Sequence, residues 1–74
     1  MKGTTDPWLI QRVDAMGHTV FLTKIRWVME MPWSFWGDAA GAKRFDSWRA
    51  ARQDMRLLND GAETVRLSDV EVTQ

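Results

Sequence analysis

The 74-residue chain contains no cysteine. That absence excludes disulfide scaffolds, zinc ribbons, iron–sulfur sites and thiol catalysis. It fits a reducing compartment, so a cytoplasmic protein is expected. Histidine occurs once, as His18, and its neighbour Gly17 makes it a surface turn residue. No P-loop, no GxGxxG, no His-x-x-x-His pair and no ordered Ser-His-Asp set is present. Asp14, Glu30 and Asp38 are acidic, but nothing in their spacing joins them as a catalytic pair. No enzyme activity, catalytic residue, metal or cofactor is therefore expected. No apolar run approaches the ~18 residues of a membrane span. Met1–Pro7 lacks the apolar segment of a signal peptide. Ten basic and ten acidic residues cancel, which argues against binding polyanions by bulk charge.

What the chain does have is aromatic and thioether bulk: five Trp, three Phe and five Met. A chain this short forms one domain and buries only about 60% of its unfolded surface. Large aromatic side chains compensate for that small interior. A flexible polar tail is expected over 1–7 and a single compact domain over 8–74.

Trp8–Val13 is rich in strand formers, and Asp14–His18 reads as a turn. Thr19–Glu30 predicts a long strand. Period-two alternation puts Phe21, Thr23, Ile25, Trp27 and Met29 on a core face and leaves Val20, Leu22, Lys24, Arg26, Val28 and Glu30 on a half-wet face. The run is about twice the usual five or six residues, which predicts a bend or bulge. Pro32 marks an edge or a break. Trp33–Trp36 predicts a short third strand, and Gly37–Ala42 a flexible loop. A helix is expected over Ser47–Asn59, with Asp46 as N-cap and Phe45 stapled onto Ala50. Its buried stripe is Trp48, Ala51, Met55 and Leu58, and Gly61 stops it. Glu63–Val72 reads as a final strand with a bulge near Ser68 and Asp69. The order β-β-(β)-α-β makes an α+β fold: a small antiparallel sheet of three to four strands with one helix on one face.

The stretch Arg44-Phe45-Asp46-Ser47-Trp48-Arg49-Ala50-Ala51, through Gly61 to Val65-Arg66-Leu67-Ser68-Asp69-Val70, resembles the strand–helix–strand unit of small β-β-α-β proteins of phages and mobile elements. Inhibitors of host machinery, including anti-CRISPR proteins, occur among them. The resemblance spans about residues 44–72. It implies a small partner-binding protein and assigns no site residue.

Two patterns carry functional content. The first is Trp27–Trp36, where three Trp, one Phe and two Met fall within ten residues. Trp27 and Met29 are expected in the core. Trp33 and Trp36 alternate to opposite faces, so both cannot enter one core. Trp33, Phe35 and Trp36 are therefore candidate partner-binding residues, since exposed aromatics beside Met make binding hot spots. The second is charge segregation. Residues 43–56 carry five basic and two acidic side chains, and residues 57–74 one basic and four acidic. Arg49, Arg52 and Arg56 share the helix face opposite the buried stripe and form a candidate surface for phosphate or acidic protein.

These patterns give a protein-binding module as the leading expectation, a phage-type inhibitor or adaptor acting on a larger host complex. A nucleic-acid binder using the Arg49/Arg52/Arg56 face is the alternative, and a homo-oligomer, in its simplest form a homodimer, is another.

Overall fold

Three apolar-rich runs in the first half of the chain become three consecutive antiparallel strands. The computed structural model describes residues 6–58 and 61–72, with side chains through Val70. Strand β1 spans Trp8–Val13, β2 Thr19–Val28 and β3 Met31–Gly37. Helix α1 follows at Trp48–Leu58, then β4 at Glu63–Arg66 and a short helix α2 at Leu67–Val72. The four strands form one open antiparallel sheet in the order β3-β2-β1-β4. The α+β expectation holds, with the second helix as an addition.

Asp14 builds the first turn. Its carboxylate accepts the main-chain N–H groups of Met16 and His18, each at 2.9 Å, and Gly17 takes the left-handed conformation at φ 87°. This is a tight hairpin loop with a glycine where positive φ is required. The β2–β3 turn is made differently. Met29 (φ 52°) and Glu30 (φ 66°) are both left-handed, which defines a two-residue turn of type I′. Asn and Gly normally fill such positions, so this hairpin is hidden in the sequence. Met29, expected in the core, is 92% exposed at its tip.

The predicted bulge lies at Thr23, between the pairs Leu22–Trp36 and Lys24–Phe35. One inserted residue turns the rest of β2 over. Before the bulge, plain alternation packs Phe21 with Leu9 and Ala42 on one side of the sheet and Leu22 with Ile10, Phe45 and Ala51 on the other; after it, Ile25 falls on the Leu22 side. The uniform face expected from Phe21 to Met29 is broken: Leu22, assigned to the wet face, is fully buried.

Helix α1 covers the Leu22 side, laying Ala50, Ala51, Met55 and Leu58 against Trp8, Ile10, Ile25 and Trp36. Its cap is Ser47, whose hydroxyl accepts the Ala50 N–H at 3.1 Å, not Asp46 as expected. Asn59, the expected last helical residue, lies outside the described residues. The segment after β3 is a 3-10 turn, Ala39–Gly41, capped by the Asp38 carboxylate and followed by buried Ala42. It is ordered where a flexible loop was expected.

Beyond Arg66 the chain coils instead of continuing as a strand. Pro7 accepts the Leu67 N–H at 2.9 Å, and the Asp6 carboxylate accepts both the Ser68 N–H at 3.0 Å and its hydroxyl at 2.7 Å. These bonds satisfy the first turn of α2 from outside. Leu67 and Val70, three apart, then face Leu9 and Phe21 together. The phase change near Ser68 that resembles a bulge is this helix. Of the expected tail, residues 1–5 lie outside the described residues, while Asp6 and Pro7 are tied down.

Candidate functional site

Strand β1 pairs with β2 only over Gln11–Val13 and Thr19–Phe21. Further along, Lys43 donates its N–H to the Leu22 carbonyl at 2.8 Å, and Phe45 exchanges main-chain bonds with Trp8. The segment 43–45 thus enters between β1 and β2 and wedges them apart. Residues 24–28 and 31–35 continue as a two-stranded ribbon. The molecule measures 43 × 27 × 17 Å, elongated for its size.

The ribbon concentrates exposed apolar surface. The register Lys24–Phe35, Arg26–Trp33 and Val28–Met31 puts these six residues on one face. On that face Trp33 is 58% exposed, Phe35 41% and Met31 62%. Arg26, Val28, Trp33 and Phe35 enclose a shallow hollow of about 300 Å³. Lys24 Nζ lies 5.0 Å from the centre of the Phe35 ring, close enough for a cation–π contact. The site is a sheet of aromatic and aliphatic groups with two cations at its rim.

Trp27 lies on the opposite face, across from Pro32. It is 59% exposed, against the expectation that it fills the core. The reason is reach: α1 covers Ile25, and Trp27 is two residues, about 7 Å, farther out along the strand.

The six expected site residues are not brought together. Trp33 and Phe35 share the ribbon face. Trp36 is on the other side, half-buried against the α1 core, with its indole N–H donating to Ser34 Oγ at 2.9 Å. The Arg12 guanidinium lies 4.6 Å from the Trp36 ring centre. Arg49, Arg52 and Arg56 line the outer face of α1 with Gln53 and Trp48. Trp48 was expected in the buried stripe and is instead exposed. At 100° per residue it lies about 60° round the helix from Ala51, and Arg52 covers its ring at 4.9 Å. Val28, Met31 and Arg26 are site residues that the sequence reading missed. Recognising Met29-Glu30 as the turn would have paired them.

The isolated acids have structural uses. Asp14 and Asp38 hold turns, and hydrogen bonds keep the Asp14 carboxyl below its usual range, the His18 N–H first among them. Among the described residues, no group of three or more His, Asp and Glu could hold a metal ion, and no helix is long and apolar enough to cross a membrane. Compared with known protein families, with curated proteins and with solved structures, the chain has no match in any of the three.

Proposed function

We propose that this protein is a small non-enzymatic binding module that docks a partner protein on the ribbon face of Trp33, Phe35, Val28 and Met31. The observation that supports this reading most is the shared exposure of these side chains. A domain short of interior leaves large apolar groups in water, and four of them share this face, three around one hollow. Adjacent aromatic and Met side chains are the composition of interaction hot spots, and a contiguous apolar patch marks an interaction surface. Lys24 and Arg26 at the rim favour a segment that sets a carboxylate beside apolar side chains. The size and the cysteine-free composition suit an inhibitor or adaptor of the phage or mobile-element kind, working in the cytoplasm on a larger complex.

The test is affinity capture from nuclease-treated host lysate, comparing the native chain with Trp33→Ala and Phe35→Ala. The native chain retains a specific protein and the variants, still folded, do not. Equal capture by native chain and variants removes the ribbon face from the reading.

A second reading rests on α1. Among the described residues the ion pairs are His18–Asp14, Lys43–Asp54 and Arg66–Asp6, which leave Arg49, Arg52 and Arg56 without a carboxylate, and Trp48 lies beside them. Such a surface suits phosphates with a stacked base. Binding to single- or double-stranded nucleic acid that weakens steeply with salt would support it. Absence of any retardation at low salt would remove it.

A further inference from the structure

The two edges of the sheet are unlike. The β4 edge is four residues long, carries Glu63 and Arg66, and runs straight into α2. The β3 edge runs seven residues, Met-Pro-Trp-Ser-Phe-Trp-Gly, with no charge at all. Sheet proteins normally guard an open edge with charged side chains, especially Lys, or with Pro, because an open strand recruits another strand; of these β3 has only Pro32, which removes one N–H near one end of the edge and leaves those of Ser34 and Trp36.

The direction of the free main-chain groups follows from the turn. A two-residue hairpin makes Val28 and Met31 a hydrogen-bonded pair. Alternation then turns the groups of Met31, Trp33 and Phe35 toward β2, and those of Pro32, Ser34 and Trp36 outward. Pro32 occupies a position where its missing N–H faces away from β2, so it costs the hairpin nothing.

We propose that the β3 edge pairs antiparallel with β3 of a second copy, about a two-fold axis through Ser34, and joins two four-stranded sheets into one. Symmetry selects the occupant. A two-fold axis sets like charge near like charge, so a self-pairing edge must be uncharged near its axis, as β3 is throughout. With Ser34 opposite its own counterpart, the two copies exchange both Ser34 main-chain bonds. Each Pro32 carbonyl accepts the Trp36 N–H of the other copy, for four bonds in all. On the ribbon face, Trp33 of each copy is directly opposite Phe35 of the other, an aromatic cross-strand pair made twice. On the other face, Pro32 is opposite Trp36. An axis on Trp33 gives two bonds instead of four, and an axis on Phe35 sets Trp33 against Gly37. The cross-strand pairs cover the flanks of Trp33 and Phe35 together with the edge main chain, and leave the outer faces of the rings open to solvent. The joined sheet also sets four aromatic rings in one two-by-two block, so the second copy contributes half of the proposed docking face. The dimer stands on the strand edge alone, and its mass is measured whether or not a partner protein is ever captured.

The experiment is light scattering on the full chain across a concentration series, with circular dichroism to verify folding. The native chain is expected to reach twice its 8.6 kDa mass. Trp33→Lys/Phe35→Lys, which sets Lys opposite Lys, is expected to stay at 8.6 kDa while folded. Trp33→Lys/Phe35→Glu restores the dimer, because only the Ser34-centred register sets Lys opposite Glu. Ser34→Cys, in a chain with no other cysteine, is expected to cross-link on oxidation, since a hydrogen-bonded pair sets Cα atoms about 5.5 Å apart, within disulfide reach. A native chain that is monomeric at every concentration overturns the proposal. So does a dimer that persists in the double-Lys variant, and so does a folded Lys/Glu variant that stays monomeric.

Discussion

The Thr23 hydroxyl donates to the main-chain carbonyl of Phe35 at 3.0 Å. This bond spans the bulge at which β2 turns over, and it links the inner sheet to the exposed ribbon. Thr23→Val keeps the β-branched shape and removes the donor. It should cost about 1 kcal/mol, the usual net value of one hydrogen bond. That corresponds to a fall of about 4–8 °C in Tm for a domain of this size, read by thermal melting. An unchanged Tm would mean that the bulge holds without this bond.

The β2–β3 turn places two ordinary residues in left-handed backbone. Left-handed conformation costs roughly 1–2 kcal/mol at a residue with a Cβ, and Asn-Gly relieves most of that strain in a type I′ turn. Met29→Asn/Glu30→Gly should therefore stabilise the protein by about 1–2 kcal/mol, read as a rise in denaturation midpoint with unchanged slope. A destabilised double variant would rule out the left-handed turn.

Two caps were distinguishable only by geometry. Ser47→Ala should lose about 1 kcal/mol, because the Ala50 N–H loses its acceptor. Asp46→Ala should change stability by less than about 0.5 kcal/mol, as surface substitutions generally do. Chemical denaturation of both variants ranks them, and the opposite ranking would return the cap to Asp46.

Acid should loosen the junction between the N-terminal segment and α2. The Asp6 carboxyl is held below its ordinary value of 3.8 by the Ser68 hydroxyl, then by the Ser68 N–H and by Arg66. The Asp14 carboxyl is lowered as well, the His18 N–H foremost. A lowered folded-state pKa means that the unfolded chain binds protons more readily. The stabilisation is fully present above the unfolded value near 3.8 and is lost as pH falls through the lower folded values. A stability profile should be flat from neutral pH toward 5 and decline below about 4. Asp6→Asn should lower the plateau and soften the decline. A variant profile parallel to the native one would exclude Asp6 as a contributor.

Exposure separates the ribbon from the core. At concentrations where the chain is monomeric, Trp33→Ser should shift stability by less than about 1 kcal/mol, while Leu22→Ala, at a fully buried position, should cost about 2–5 kcal/mol. Denaturant midpoints measure both. A collapse of Trp33→Ser would make this residue part of the interior and remove it from any docking face.

Local chemistry determined much of this protein in advance. Alternating apolar residues produce β1 and β2, Gly17 and Asp14 close a turn between them, and the spacing of Ala51, Met55 and Leu58 makes a helix with one buried side. Pro32 announces an edge, and the parity of Trp33 and Trp36 sends them to opposite faces. These features depend on neighbours in the chain, so the chain displays them. The remaining features depend on distant partners. Met29-Glu30 becomes a turn because β3 finds β2. Leu67–Val72 becomes a helix because Asp6 and Pro7, some sixty positions earlier, satisfy its first turn. Trp27 and Trp48 look like core by periodicity and are exposed because α1 is too short to cover one and turns the other outward. Periodicity states which side chains share a face, but only the packed elements determine how far the cover on that face extends.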